Sequence, residues 1–220
     1  MTASAFADRN LSDIAASLPG ATAVFRQRKM DFCCGGAVPL AEAAAARGVD
    51  LAAIEADLAA LAGDAGVPDT DLPTSALIGR ILERYHLAHR RELPELIRLA
   101  RRVEAVHRGV EGAPVGLADA LEETELALAD HMAKEEGVLF PMILAGRGGM
   151  AGAPIAVMRH EHDDHGERLA QLLALSNDAT PPAGACTTWR ALCAGLRKFV
   201  DDLQDHVHLE NNVLFPRFGA

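Results

Sequence analysis

Two stretches of the chain, HMAKEEGVLFP (residues 131–141) and HVHLENNVLFP (206–216), carry His, Glu, Val, Leu, Phe and Pro at the same offsets, 75 residues apart. In each, a histidine precedes a glutamate by four residues, which is about 400° of helix rotation and one turn of rise, so the two side chains share a face. One such pair alone reads as an exposed helical salt pair. These pairs lie elsewhere: Leu117, Leu128, Glu135, Val138 and Met142 fall within about 60° of His131 on a helical wheel, and Leu192, Phe199, Leu203, Glu210 and Val213 do the same around His206. Both pairs therefore sit in stripes that must be core. A carboxylate in an apolar core costs several kcal/mol even after relaxation, so each glutamate needs a cation. Lysine and arginine are missing from those stripes, and a metal ion is the remaining source of positive charge.

The elements that must position these groups follow from the repeat. A shift of 75 also superposes Leu117 on Leu192, Leu121 on Leu196, Leu128 on Leu203 and Asp130 on Asp205, and a shift of 76 superposes His86 on His162, His89 on His165, Leu93 on Leu169 and Leu96 on Leu172. The C-terminal part thus reads as two copies of a helical hairpin whose apolar stripes bury each other in a four-helix bundle. Turns are expected at 107–116, 145–154 and 176–185, where Gly and Pro cluster. In an antiparallel hairpin, residues at one height are equidistant from the turn. His86 with His131 has its midpoint at 108–109, His131 with His162 at 146–147 and His162 with His206 at 184, all inside expected turns. Four histidines and two glutamates come to one level. If Glu135 and Glu210 bridge two metals with two histidines each, open positions remain for a small molecule, and imidazole with carboxylate donors suits non-haem iron better than structural zinc; manganese fits the same donors. Periodicity does not choose between His86 and His89, or between His162 and His165. His160 and His208 point away from the stripe and His107 belongs to a turn, so these three read as surface histidines.

Composition bounds the rest. Half of the 220 residues are apolar and few are aromatic or in alternating β-branched runs, which indicates an all-α protein. Against 31 acidic residues stand 21 basic ones, a formal net charge of −10 that disfavours binding to nucleic acid. The basic stretch 90–108 interleaves arginine with Leu and Ile at helical spacing and reads as a solvated helix face. With neither a basic start leading into an apolar leader nor a bilayer-length apolar run, a cytoplasmic protein without membrane contact is expected. The stretch 61–75 reads as a linker between a small helical N-terminal domain (1–65) and the bundle (75–220). No nucleotide-binding glycine loop or nucleophile elbow is found, and Trp189 reads as a packing residue. The four cysteines, Cys33, Cys34, Cys186 and Cys193, read as thiols, and in KMDFCCGG (29–36) two of them stand beside two glycines that permit a tight turn and close approach.

MDFCCGG, RYHLAHRRELPELI, HMAKEEGVLFPMI, VMRHEHDDHG, PPAGACTTW and DHVHLENNVLFPR cover nearly the whole chain, and together the chain resembles the iron-sulfur cluster repair di-iron proteins, which join a short CCGG domain to a hemerythrin-like bundle. The resemblance implies two non-haem iron ions in an oxo-bridged centre, with His86, His131, His162 and His206 as terminal ligands and Glu135 and Glu210 as bridges. It also implies restoration of iron-sulfur clusters damaged by nitric oxide or oxidative stress, with damaged iron-sulfur proteins and nitric oxide or oxygen as partners, in a homodimer. Cys33 and Cys34 are the candidate catalytic thiols, docking the client or passing iron or electrons. Nitric oxide reduction at the iron pair, and reversible binding of oxygen or nitric oxide, are the competing functions. His160, His165 and His208 exceed the family's ligand pattern and leave open a third metal or an alternative ligand set.

Overall fold

The computed structural model describes residues 6–61 and 68–219, which are all-helical apart from one isolated bridge between Asn10 and Pro39. Part of the expected linker, residues 62–67, lies outside the described residues. Helices α1 (Leu11–Ser17), α2 (Ala21–Gln27), α3 (Leu40–Arg47) and α4 (Leu51–Leu61) are short and are followed by three long helical runs and one uninterrupted long helix. The first run joins α5 (Thr74–Arg80), a π turn (Ile81–His86) and α6 (Leu87–Val106). The second joins α7 (Leu117–Lys134), a π turn (Glu135–Leu139) and α8 (Phe140–Leu144). Helix α9 (Gly152–Leu175) is the third, and α10 (Thr187–His208) continues through a π turn (Leu209–Leu214) into a final 3-10 turn (Phe215–Phe218). These are the four long helices expected from the repeat, and the joints at 107–116, 145–154 and 176–185 fall at their ends.

By contacts the chain divides into Gly79–Leu203 and a unit made of Met1–Ile78 with Gln204–Ala220. In the larger unit the apolar stripes recur every three or four residues: Leu93, Leu96, Ala100 and Val103 on α6, Leu117, Leu121 and Leu128 on α7, Ile155, Met158, Leu169 and Leu172 on α9, Leu192, Leu196, Phe199 and Leu203 on α10 are all buried. Each such Val, Leu, Ile, Met or Phe side chain stabilises the fold by about 1.5–3 kcal/mol. The arginines of 90–108 stay at the surface, where Arg98 pairs with Glu95 and Arg101 with Asp119 and Glu122. Buried Asp202 ties this unit across its surface, accepting from Arg84 at 2.6 and 3.0 Å and from Lys198 at 2.8 Å. Trp189 is buried at the start of α10, against the His107 ring at 4.8 Å.

In the smaller unit Leu11, Ile14, Phe25, Phe32, Leu40, Ile54 and Leu58 form the core of α1–α4. The first N–H groups of a helix have no partner within it. For α1 the loop after the cysteines supplies them, as Leu11 N donates to Val38 O (3.1 Å) and Ser12 N to Gly36 O (3.0 Å). That exchange holds the cysteine loop against α1. The C-terminal turns belong to the same unit: Asp205 pairs with Arg26 at 2.5 Å, and the Arg217 guanidinium donates to Leu72 O at 2.8 Å and Thr70 O at 3.1 Å.

Candidate metal centre

Every ligand candidate of the sequence reading is buried: His86, His162, His206, Glu135 and Glu210 are 0% exposed and His131 1%. In the larger unit Glu135 is the hub. Its Oε2 lies 3.4 Å from His86 Nε2 and 3.4 Å from His131 Nε2. The other ring nitrogens are already engaged, His86 Nδ1 with Glu136 Oε1 at 2.7 Å and His131 Nδ1 with Glu161 Oε2 at 2.9 Å. A carboxylate at Nδ1 fixes the tautomer with the proton on that nitrogen, and so leaves the Nε2 lone pair facing inward. Both outer carboxylates are themselves held by cations, Glu136 by Arg90 at 2.8 Å and Glu161 by Lys134 at 2.5 Å. Burial alone would raise the Glu136 carboxyl, but hydrogen bonds from His86 and Arg90 outweigh it and hold it below the ordinary carboxylate range. It stays charged, as a partner for an imidazole N–H must.

His131 Nε2 also lies 3.2 Å from His162 Nε2. With the His131 proton on Nδ1, that contact aims a lone pair at the neighbouring ring. In the last helix His206 Nε2 lies 3.2 Å from Glu210 Oε1, the i,i+4 pair expected from its spacing. Each unit thus holds buried donors of the same kind: His86, His131, His162 and Glu135 in the larger, His206 and Glu210 in the smaller. All six side chains are buried. That donor set, four imidazoles with inward nitrogens and two desolvated carboxylates, fits a pair of divalent or trivalent cations, with the outer carboxylates in the supporting role usual around ligating histidines.

The cysteine loop is built around Asp31. Its carboxylate accepts from the backbone N–H groups of Cys33 (3.1 Å), Cys34 (3.1 Å) and Gly35 (3.0 Å). Gly36 has no room for a side chain: a Cβ there would stand 2.5 Å from Phe32 O and 3.0 Å from Ser12 Cβ. All four cysteines are free thiols. Hydrogen bonding to Cys34, burial, and the charge of Asp31 together push the Cys33 thiol up, so it holds its proton. The loop is seated on the last turns of the chain, where Asn211 Nδ2 donates to Cys33 O (3.1 Å) and approaches Cys34 Sγ at 3.9 Å, and Asn212 Nδ2 donates to Phe32 O (3.1 Å) and Cys33 O (3.2 Å).

Residues 77–218 match the hemerythrin HHE cation binding domain, and residues 7–62 match ScdA_N, a domain of unknown function. The chain is 48% identical over 217 residues to the iron-sulfur cluster repair protein YtfE of Dickeya chrysanthemi, an alignment spanning 96% of this chain and 97% of that protein. It is 47% identical over 214 residues to the protein of the same name from Shigella boydii (97% of each chain) and 45% identical over 216 residues to a probable iron-sulfur cluster repair protein of Haemophilus influenzae (96% and 97%). The chain belongs to the iron-sulfur cluster repair protein family. Its hemerythrin-like fold agrees with the all-helical architecture, and no described helix is long and apolar enough to cross a membrane.

Within this family fold the structure separates histidines that periodicity left unresolved. His86 lies against Glu135 and His162 against His131, whereas His89 is buried but edge-on to Phe199 at 5.5 Å, and His165 is edge-on to His131 at 4.9 Å. His160 is exposed and His107 half-buried at its turn, whereas His208, expected at the surface, is buried at 3% exposure. Its ring meets Phe32 edge-on at 5.5 Å and its Nδ1 accepts from Asn212 at 2.9 Å. Burial in that pocket lowers its pKa to about 4. Val138 is a second correction: assigned to the core stripe on the wheel, it is 54% exposed, while Leu139 and Phe140 are buried. The π turn over Glu135–Leu139 accommodates one extra residue and rotates everything after it. Each π turn contains a candidate ligand, His86, Glu135 or Glu210. The sequence signal for two of them is a proline: Pro141 and Pro216 stand in otherwise helical runs just beyond the turns, where a missing N–H breaks the regular ladder.

Proposed function

We propose that this protein repairs iron-sulfur clusters damaged by nitric oxide or oxidative stress, using two non-haem iron ions held by His86, His131, His162 and His206 as terminal ligands and by Glu135 and Glu210 as bridges. The observation that carries this reading is that Glu135 and Glu210, both fully buried, each lie beside imidazole nitrogens of buried histidines. Bound iron would supply redox chemistry and open coordination positions for nitric oxide or oxygen. The chain's own residues do the rest. Glu136 and Glu161 hold the Nδ1 protons of His86 and His131 and so keep their Nε2 lone pairs inward. The buried shell around Glu135 and Glu210 keeps water from those carboxylates and strengthens their hold on cations. Cys33 and Cys34, on a loop fixed by Asp31, are proposed to dock the client or pass iron or electrons; a Cys33 sulfur that ligated metal would bind it as thiolate and lose its proton to water.

In this reading residues 1–65 are the thiol-bearing domain and residues 75–220 the metal-bearing one. A cytoplasmic homodimer belongs to the same proposal and rests on the family resemblance. The names of the relatives support repair as the task. The test uses the full chain purified without oxygen: two irons per chain are expected, together with recovery of a nitric oxide-treated [4Fe–4S] protein that is lost in Glu135→Ala and in Cys33→Ala/Cys34→Ala. Tightly held zinc, or recovery undiminished in both variants, would overturn it. Release of nitrous oxide over repeated turnovers would move the assignment to nitric oxide reduction.

A further inference from the structure

The internal repeat conserves the metal-facing residues and changes the ones between them. Where the second long helix has Ala133, Glu136 and Gly137, the fourth has His208, Asn211 and Asn212. In the second helix Glu136 serves the centre by holding His86. In the fourth, the exchanged residues turn to the cysteine loop. Asn211 is 4% exposed and His208 3%, so both are turned away from water. The Asn212 amide is placed among three acceptors, Phe32 O, Cys33 O and His208 Nδ1, at 3.1, 3.2 and 2.9 Å. Asn211 reaches the same Cys33 carbonyl and the Cys34 sulfur. Two side-chain amides thus grip the backbone on which both thiols are mounted.

Asn211 and Asn212 directly follow Glu210, and all three lie in the π turn Leu209–Leu214. A π turn interrupts the regular hydrogen-bond ladder, so a shift of Glu210 is carried by its immediate neighbours. We propose that Asn211 and Asn212 are positioning residues that tie the Asp31–Gly36 thiol loop to Glu210, so that occupancy of the metal centre changes the reactivity of Cys33 and Cys34. The inference rests on the metal reading of the preceding section. It makes the thiols responsive to whether the centre holds iron to give.

The experiment compares the full chain with Asn211→Leu/Asn212→Leu, both carrying Cys186→Ser to remove the other half-buried thiol; Cys193 is buried. The rate at which an aromatic disulfide labels Cys33 and Cys34 is measured anaerobically on iron-free and iron-loaded protein, with iron content and far-ultraviolet circular dichroism alongside. Iron loading should change the wild-type rate by about fivefold or more, the low end of usual coupling between sites. In the double variant the two rates should coincide while iron content and helicity stay at wild-type levels. A domain-packing role alone would raise both rates and leave their ratio intact, which overturns the inference, as does an iron-loaded wild type whose rate equals that of the iron-free form. Should the leucine pair fail to fold, Asn212→Asp keeps the size and replaces the donor with an acceptor, and the same ratio decides. A wild type that takes up no iron refutes the reading of the centre itself, a failure distinct from an unchanged ratio in loaded protein.

Discussion

Replacing Glu135 by glutamine separates two accounts of why a carboxylate is buried in this helical core. The side chain is fully buried, with two imidazole nitrogens at 3.4 Å. If those imidazoles carried the compensating charge as protonated rings, Glu135→Gln would strand positive charge in the core and destabilise the metal-free protein by about 3–5 kcal/mol, the usual cost of removing one partner from a buried ion pair. The metal reading instead keeps each ring neutral, with its one proton on Nδ1 toward Glu136 or Glu161. The charge of Glu135 is then balanced by a metal when one is bound. In metal-free protein glutamine should stabilise the fold by about 1–4 kcal/mol through relief of the buried charge. For a chain of this size that is an increase of roughly 2–4 °C in melting temperature per kcal/mol. In the presence of iron the sign reverses, because the variant forfeits the stabilisation that ligand binding confers, about 2.7 kcal/mol at a hundredfold excess over Kd. Urea unfolding followed by circular dichroism, on protein stripped by chelator and on protein reloaded anaerobically, gives both numbers. A stripped Glu135→Gln that is less stable than stripped wild type by 3 kcal/mol or more, with iron uptake unchanged, would refute the metal argument.

Glu161→Gln should weaken iron retention roughly 10–100-fold in chelator competition, because it loosens the orientation of His131 without removing a ligand. Leu139→Ala should cost about 2–5 kcal/mol in urea unfolding whereas Val138→Ser stays within about 0.5 kcal/mol, since the π turn buries the first and exposes the second. Burial alone would raise the Asp202 carboxyl, but hydrogen bonds from Arg84 and Lys198 prevail and depress it, so its contribution is present above the unfolded carboxylate value and lost as pH falls through the lower folded one. Asp202→Asn should therefore cost about 1–3 kcal/mol at pH 7, with the gap to wild type closing only below about pH 4, as read from unfolding midpoints across pH.

The candidate donors are legible because two physical demands coincide in them. A helix must keep one stripe apolar, and a charged residue inside that stripe must have a counter-charge; His131, Glu135, His206 and Glu210 violate the first rule in the same way twice. What periodicity misses has a single cause, the assumption of an ideal helix buried on one face. The π turn at Glu135–Leu139 breaks the ideal rotation and moves Val138 to the surface. In the last turns of the chain the one-face assumption fails: Val207, His208, Leu209 and Asn211 are buried as well as His206, Glu210 and Val213, because Phe32 and the cysteine loop pack on the side that the wheel leaves to solvent. A rule that counts only partners within one bundle thus puts His208 at the surface. His89 and His165 show the opposite limit, since their spacing is as good as that of His86 and His162 and only three-dimensional placement separates them.

Comparison of the two hairpin copies separates residues that hold the candidate donor histidines from residues that seat the cysteine loop. Positions 131 and 135 reappear as 206 and 210 with the same residue types, and all four side chains are buried. Among the positions that differ, 134/209 and 136/211 lie off the stripe. Lys134 and Glu136 spend their charge on supporting imidazoles, directly for Glu136 and through Glu161 for Lys134, and both remain partly open to water. Their counterparts Leu209 and Asn211 are uncharged and buried, as a surface covered by another segment requires, since a lysine or glutamate there would pay a desolvation cost of several kcal/mol. Exchanging the two sets tests this division: Asn211→Glu should disrupt the seating of the cysteine loop more than it disturbs His206, whereas Glu136→Asn should loosen His86 and leave the loop untouched.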